Sequence, residues 1–164
     1  MSDDIQNILR IEDNAEFKGV LVNFVFKPEL NRRYAHEIET FPPMVEAVMA
    51  INIFDLAIST GSMWKYLVEH GNRFEALRRV CKDIGAAKAA EYLNSVISQF
   101  PDGVIPEDDN ERMDRCDELE LELRKIDRQH SGSVGDAVNR LREYINANQV
   151  EFERQVGEFW VKYL

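Results

Sequence analysis

Carboxylate side chains are the groups in this sequence most able to take part in chemistry, and ten of the 30 lie close together. Between Asp102 and Glu122 ten acidic residues stand against two basic residues, Arg112 and Arg115. Closely spaced carboxylates can act as general acids and bases when a cleft raises the pKa of one of them. They can also form a row of negative charge that a basic surface would bind. This acidic segment, residues 102–122, carries −8 of the net charge of −10 of the chain.

Other catalytic and metal-binding patterns are missing from the sequence. His36, His70 and His130 are far apart, and none lies near another histidine or a cysteine as a local zinc site requires. No Gly-rich phosphate loop follows a strand pattern, and no Gly-x-Ser-x-Gly turn occurs. We therefore expect no metal, no cofactor and no catalytic residues. Cys81 and Cys116 each lie on the apolar side of a helical pattern, which predicts buried, reduced thiols.

Apolar residues at helical spacing predict an all-α fold, a single-domain multi-helix bundle over residues 1–164 with an acidic surface. The clearest face contains Phe74, Leu77, Cys81 and Ile84, and Gly85 is expected to end that helix. Further faces are predicted by Ala89, Leu93, Val96, Ile97 and Phe100; by Cys116, Leu119, Leu123, Ile126 and His130; by Val134, Val138, Leu141 and Ile145; and by Phe152, Val156, Phe159, Trp160 and Tyr163.

The connections between these helices are less regular. Pro101 and Pro106 predict an extended connection, so that the next helix starts near Asp109. His130 is expected to lie at a helix C-terminus, where it would cap the helix or face its dipole. The run from Val20 to Phe26 fits a strand or a buried helix, and we favour helix or extended chain in a packing arm over residues 1–29.

The N-terminus and the charge favour a soluble, cytoplasmic protein. Residues 1–7 include two aspartates and no basic residue, unlike a secretory or transit leader. The stretch from Met44 to Ile58 is shorter than the roughly 20 residues that span a bilayer. Because Glu46 and Asp55 also interrupt it, we predict a buried core helix. A net charge of −10 opposes direct contact with nucleic acid or a membrane, so that a charged partner should be basic.

Part of the acidic segment needs no functional explanation. Glu111 with Arg115, and Glu120 with Arg124, have the i, i+4 spacing of stabilising pairs. Acids early in a helix and bases late in it also complement the helix dipole. Six acids have no such partner, and we predict that they form the partner-binding site: Glu107, Asp108, Asp109, Asp114, Asp117 and Glu118.

Helical geometry gives these unpaired acids a specific meaning. Residues at i, i+4 on a helix stand about 5–6 Å apart, which is comparable to the separation of neighbouring phosphates on a nucleic-acid strand. A row of carboxylates can therefore imitate a row of phosphates. A basic DNA-binding surface would gain much the same counterion-release energy from either row.

A second pattern runs from about Ser59 to Glu143. A Gly-containing segment followed by aromatics comes first, and further short pieces follow it in order: Gly61-Ser62-Met63-Trp64-Lys65-Tyr66, then Ala76-Leu77, Ile84-Gly85-Ala86, Ala90, Ile97 to Pro101, Ile105-Pro106 and Arg112. In order and spacing, residues 59–143 resemble the C-terminal domain of the bacterial acidic DNA-mimic protein family. Thr60-Gly61-Ser62-Met63 stands where that family usually has an Asn-Gly-Gly-Phe motif. The resemblance implies an all-α protein whose acidic surface mimics duplex DNA and occupies the DNA-binding face of a helix-turn-helix transcription factor.

Three functions remain open at this point, and the leading one is a DNA mimic that binds a basic DNA-binding protein and regulates transcription. An antitoxin-like or immunity-like inhibitor of a basic toxin or nuclease would have the same sequence features. An enzyme that uses a carboxylate pair near the Trp64–Tyr66 aromatics is the third, although aromatics at helical spacing are ordinarily core residues. We expect an interaction protein rather than an enzyme, and the sequence leaves its oligomeric state open.

Overall fold

The computed structural model describes residues 1–27 and 41–163, which form α-helices joined by turns and contain no strand. The prediction of an all-α fold is confirmed. The chain divides into two compact units, one made of Met1–Asn52 with Val138–Leu164, and the other of Ile53–Ala137. Both boundaries fall inside helices, α3 (Pro43–Thr60) and α9 (Ser133–Ala147). That the whole chain is one domain stays a prediction.

The first unit contains α1 (Ser2–Leu9), α2 (Asn14–Val25) and α10 (Gln149–Tyr163), together with parts of α3 and α9. Helix α2 begins at Asn14 because the side chain of Asp13 caps it, its Oδ1 accepting a hydrogen bond from Glu16 N at 2.8 Å. The run from Val20 to Phe26 is therefore mostly helix. Its last turn is tied to α10, since Trp160 Nε1 donates to the carbonyl oxygen of Val25 at 2.9 Å.

Helix α3 carries the apolar run that was predicted to lie in the core. One face is buried and consists of Met44, Val45, Ala47, Val48, Ile51, Phe54 and Ala57. The opposite face is only half-buried, and Leu56 is 55% exposed, so the prediction of a buried core helix is confirmed for one face of α3 and not for the other. Among the described residues α3 is the one helix long and apolar enough to cross a membrane by length and composition. A core helix of a soluble protein has the same properties.

The second unit contains α4 (Met63–His70), α5 (Phe74–Asp83), α6 (Ala87–Ile97), α7 (Asp109–Glu118) and α8 (Glu120–Gln129). In α5 the predicted face of Phe74, Leu77 and Cys81 is buried. Gly85 ends this helix as predicted, because its φ of +72° lets the N–H of Ala86 reach the carbonyl oxygen of Cys81 at 2.8 Å. This 6→1 hydrogen bond is typical of a Schellman cap.

The apolar seam that begins at Cys116 lies on two helices rather than one. Helices α7 and α8 meet at Leu119, which has φ −95° and ψ 3°. Cys116, Leu123 and Ile126 are buried as predicted, whereas Leu119 and His130 are half-buried. His130 lies at the C-terminus of α8 as predicted, where its backbone N–H donates to the carbonyl oxygen of Ile126 at 3.0 Å. The later faces on α9 and α10 are also buried where predicted, apart from Trp160 and Tyr163, which are half-buried.

Aromatic rings fill the centre of the second unit. Phe54, Tyr66 and Tyr92 are almost completely buried, and the ring centroid of Phe54 lies 5.8 Å from that of Tyr66 and 5.9 Å from that of Tyr92. Cys81 and Cys116 are buried free thiols, as the sequence predicts. Burial raises the pKa of the Cys81 thiol to about 12 and that of Cys116 to about 11, so both are protonated at neutral pH.

Candidate functional site

The acidic segment begins with an irregular connection and continues through α7 into the first turn of α8. Asp108 is the N-cap of α7, and its Oδ1 accepts a hydrogen bond from Glu111 N at 2.9 Å. An aspartate before the first turn satisfies a backbone N–H that would otherwise have no acceptor, and its charge also suits the helix dipole. The helix therefore starts at Asp109, as the sequence predicts.

Arg112 fixes the connection before α7 against the helix. Although it is an arginine, its side chain is only 3% exposed. Its Nη1 donates to the carbonyl oxygens of Pro106 and Glu107, both at 3.0 Å, and its Nη2 donates to Asp109 Oδ1. The planar guanidinium thus satisfies two backbone carbonyls and one carboxylate at once, as its fixed fork of donors allows.

The space that Arg112 occupies depends on a glycine. A Cβ atom on Gly71 would lie 2.3 Å from Cδ of Arg112, closer than two carbon atoms can approach. Gly71 begins the 3-10 turn Gly71–Arg73 between α4 and α5, and its φ of −59° is one that any residue adopts. A side chain is therefore excluded at Gly71 by contact with Arg112 and not by backbone conformation.

Trp64 joins the first turn of α4 to the acidic segment. Its indole Nε1 donates a hydrogen bond to Asp117 Oδ1 at 2.8 Å, between residues 53 apart in sequence. Next to this contact lies an open groove of about 640 Å³ whose walls are acidic, basic and aromatic: Gly61, Ser62, Trp64, Asp117, Glu120, Arg124, Asp127 and Arg128. The groove carries charges of both signs, so it is not the strongly negative part of the surface.

The Gly61-Ser62 turn has a structural role of its own. Ser62 caps α4, its Oγ lying 3.5 Å from Lys65 N. The side chain of Lys65 folds back over Gly61, where a Cβ would lie 2.7 Å from Lys65 Cδ, and its Nζ donates to Thr60 Oγ1 at 2.9 Å. The residues that carry the family resemblance therefore shape the turn that presents Trp64.

Asp127 of α8 lines the groove and links α8 to α6 and α4. Its Oδ1 accepts a hydrogen bond from the hydroxyl of Tyr92 at 2.5 Å, and its Oδ2 lies 3.4 Å from Met63 N. Burial, and then the hydrogen bond to the Asp127 carboxylate, raise the pKa of Tyr92 well above its ordinary value. The ring of His130 stacks on Tyr92 with centroids 5.3 Å apart. The sequence does not predict this contact, because no local pattern joins α6 to α8.

The described residues contain little that resembles an active site. Ser95 Oγ lies 3.1 Å from His130 Nε2, but it also bonds to the backbone carbonyl of Glu91 within its own helix. No group of three or more His, Cys, Asp or Glu within the described ranges is arranged to hold a metal ion. His70 and His130 therefore belong to no such group, and His36 lies outside the described residues.

The structure changes the interpretation of the predicted partner-binding residues. Four of the six have partners: Asp108 caps α7, Asp109 bonds to Arg112, Asp117 to Trp64, and Glu118 to Arg115 Nη1 at 2.6 Å. The prediction that all six are unpaired is therefore wrong. Within the described residues the side chains of Glu107 and Asp114 have no hydrogen-bond or ion-pair partner.

The two ion pairs predicted for the segment have different outcomes. Glu120 and Arg124 pair as predicted, at 2.5 Å between Oε1 and Nη2. Arg115 binds Glu118 and not Glu111, so the predicted pair of Glu111 with Arg115 is wrong. Across the described parts of the chain Glu111 has no side-chain partner, so it joins the acids that the structure leaves unpaired.

The outer face of α7 keeps most of the uncompensated charge. At 100° per residue, Glu111, Asp114 and Asp117 point away from the buried Arg112 and Cys116. None of these three carboxylates is bound by a cation among the described residues, since the partner of Asp117 is a neutral indole. Glu107 and Asp108 extend the same charge beyond the start of the helix. We call Glu111, Asp114 and Asp117 the acidic face.

Charge is distributed unevenly within the second unit. Residues 53–137 contain 17 acidic and 11 basic residues. Outside the acidic segment the same unit has seven acidic and nine basic residues, so its remainder is slightly positive. The net negative charge of the unit is thus concentrated in the acidic segment, whereas a general solubility surplus would be interspersed with bases.

A protein-family model described as DMP19-like protein matches residues 39–148, about two thirds of the chain. The chain belongs to the DMP19-like protein family. This is a DNA-mimic family, in agreement with the resemblance seen in the sequence, and the match includes α3 to α9. No curated protein and no solved structure matches the chain.

Proposed function

We propose that this DMP19-like protein is a DNA mimic whose acidic face binds the DNA-binding surface of a basic protein. The observation that carries the proposal is the row of uncompensated carboxylates on the outer face of α7, in a unit that is otherwise slightly positive. Membership of a DNA-mimic family supports the same function. The sequence resemblance favours a helix-turn-helix transcription factor as the partner.

The geometry of α7 supports this role. Glu111 and Asp114 are three residues apart, and Asp114 and Asp117 are again three apart, so the carboxylates follow one another along the same side of the helix. Side chains at this spacing stand about 5–6 Å apart, similar to phosphates along a strand. Arg112 and Asp108 hold the helix start in place, and the row is therefore presented on a fixed element.

The protein is proposed to act by occupation and not by catalysis. A basic surface that binds phosphates releases counterions when it binds a polyanion, and the acidic face offers comparable negative charge. Binding to the partner would then exclude DNA from the same surface. No cofactor or metal is needed for this activity.

The test is mutual exclusion of DNA and this protein on a partner. The protein is immobilised and incubated with a cytoplasmic extract of its native cell, and bound proteins are eluted with a duplex oligonucleotide at constant ionic strength. We expect a basic DNA-binding protein to be released by the duplex. A bound protein that stays on the column while it also binds the duplex would overturn the proposal.

Two matched variants control for net charge. The acidic-face variant, Glu111→Gln/Asp114→Asn/Asp117→Asn, removes three charges and keeps an amide oxygen where Trp64 needs an acceptor. The control variant, Glu12→Gln/Asp83→Asn/Glu91→Gln, removes three charges from exposed positions elsewhere. Only the acidic-face variant should fail to retain the duplex-released protein. Release of a basic nuclease or toxin with no sequence-specific DNA binding would instead favour the inhibitor function.

A further inference from the structure

A pocket of about 440 Å³ in the first unit is lined by the end of α1, by α9 and by the start of α10. Two arginines line it, Arg10 at the C-terminal end of α1 and Arg142 on α9. Three amide side chains line it as well: Gln6, Asn146 and Gln149. A pocket of this size can hold a small molecule, whose orientation is fixed by a few convergent polar groups. Its chemistry therefore depends on whether the two arginines are already neutralised.

Arg142 is held in place by neutral groups. Its Nη2 donates to Asn14 Oδ1 at 3.1 Å and to the carbonyl oxygen of Glu12 at 3.4 Å. Its guanidinium carbon lies 4.3 Å from the ring centroid of Phe17, an arrangement typical of a cation–π contact. Within the described residues its buried Nε has no hydrogen-bond partner, and neither has its Nη1. The guanidinium is thus oriented, but no carboxylate balances its charge.

Arg10 is also without a counter-charge. Its side chain is exposed and has no hydrogen-bond or ion-pair partner in residues 1–27 and 41–163. The pocket lining includes the carboxylate of Glu143, but this group is bound by Arg140 Nη1 at 2.7 Å. Five other arginines each pair with a carboxylate: Arg78, Arg112, Arg115, Arg124 and Arg154. Two arginines without such a pair in one pocket therefore need an explanation, because the chain has 30 acidic residues.

The amide side chains provide neutral hydrogen-bonding groups next to the arginines. Gln149 Nε2 donates to Asn146 Oδ1 at 3.0 Å, and the Nδ2 of Asn146 has no acceptor in the part of the chain that the structure describes. The side chain of Gln6 has no partner there either. Amides can both donate and accept, so they suit the hydroxyl or amide groups of a small polar molecule.

We propose that this pocket, the arginine pocket, binds a small organic oxyanion whose carboxylate or phosphate group is held by Arg10 and Arg142. Guanidinium groups carry planar forks of N–H donors that match the oxygen atoms of carboxylates and phosphates. The bound anion supplies the counter-charge that both arginines lack. The inference does not depend on the proposed function, because the arginine pocket lies in the first unit and the acidic face lies in the second.

NMR titration of the whole chain tests the site, with inorganic phosphate and succinate as separate probes. Ionic strength is held constant with sodium chloride, so that general screening does not change during the titration. We expect saturable shifts of the backbone amide signals of Arg10, Arg142 and Gln149 with at least one probe. Saturation by phosphate alone would identify a phosphate-bearing ligand, saturation by succinate alone a carboxylate-bearing one, and saturation by both an oxyanion of either kind.

Three variants separate the arginine pocket from general charge effects. Arg10→Gln changes an exposed side chain without a described partner, so the fold should be retained and the dissociation constant should rise at least about fivefold. Arg142→Lys keeps the charge but loses the planar fork, and it should weaken binding to a similar extent. Arg128→Gln removes the same charge from an exposed arginine of the second unit and should bind the probe like the parent.

Two results would overturn the inference. Shifts that grow linearly with both probes, without saturation, would mean that no site exists. Equal dissociation constants for the parent and Arg10→Gln would mean that the arginine pocket does not hold the anion. The amide spectrum of each variant without probe shows whether its fold is retained. Either negative result leaves the proposed function of the acidic face standing.

Discussion

The indole of Trp64 and the carboxylate of Asp117 are hydrogen-bonded at 2.8 Å, and this contact joins the first turn of α4 to the acidic helix α7. The segment from Gly61 to Tyr66 carries part of the sequence pattern of the family, and α7 carries much of the charge. The two features that suggested a DNA mimic in the sequence are therefore parts of one surface. The bond also sets the direction in which the Asp117 carboxylate points.

Removing the indole donor should reveal an energetic coupling between these residues. We expect Trp64→Phe and Asp117→Ala to be non-additive, with a coupling of about 1 kcal/mol in the free energy of unfolding, because the hydrogen bond is charge-assisted but partly solvated. Urea denaturation of the parent, both single variants and the double variant measures it. Additive effects would mean that Trp64 does not orient Asp117.

Arg112 should contribute more to stability than any exposed arginine of the segment. In Arg112→Met the carbonyl oxygens of Pro106 and Glu107 lose their donor, and we expect a loss of about 3 kcal/mol in the free energy of unfolding. Chemical denaturation measures this difference.

Arg115→Met is the matched control for that change. Arg115 pairs with Glu118 at the surface, and both side chains are exposed, so its loss should cost less than about 1 kcal/mol. Equal effects of the two substitutions would show that the buried guanidinium does not hold the connection before α7.

How far the sequence predicts this fold depends on whether a signal is local. Gly85 and Asp109 mark helix ends correctly, because left-handed caps and helix starts have strong local preferences. The break at Leu119 was missed, since neither glycine nor proline occurs there. Apolar composition likewise could not tell which face of α3 would be covered.

The candidate site was predicted less well than the fold, for a related reason. Charge counting located the acidic segment, but it could not show that Asp109 binds a buried Arg112 or that Trp64 reaches Asp117. Contacts between residues far apart in sequence depend on tertiary packing, and no periodic pattern in a single sequence predicts them. The sequence also could not show that Arg115 pairs with Glu118 and not with Glu111, because both glutamates lie within reach of Arg115 on the same helix.

Phe54 should be one of the most sensitive core positions of the second unit. Its ring is fully buried against Tyr66 and Tyr92, so Phe54→Ala should leave a cavity and cost about 3–5 kcal/mol in the free energy of unfolding. Leu56→Ala on the same helix removes an exposed side chain and should cost under about 1 kcal/mol. Thermal and urea denaturation measure both losses. Equal losses for the two substitutions would contradict the described packing of Phe54.

Alkaline pH should destabilise the fold through its buried thiols. The pKa of Cys81 is raised to about 12 and that of Cys116 to about 11, against 9.0 for an ordinary cysteine. The folded state therefore keeps protons that the unfolded state releases, and the resulting stability is present below pH 9.0 and lost as the pH rises through the folded values.

Urea midpoints measured between neutral and strongly alkaline pH test this dependence. The decline should be shallower in Cys81→Ala/Cys116→Ala, while the raised pKa values of Tyr66 and Tyr92 contribute the same sign in both proteins. A midpoint that rises with pH, or an unchanged decline in the double variant, would contradict the assignment.

The most direct measurement of the central claim is the affinity of the duplex-released partner for three proteins across a range of salt. The parent should bind with a steep salt dependence, and the acidic-face variant should bind at least about tenfold more weakly with a shallower dependence. The control variant, with the same net charge, should match the parent closely. Equal affinities and equal salt dependences for the acidic-face and control variants would contradict the account, because binding would then follow total charge and not the carboxylate row on α7.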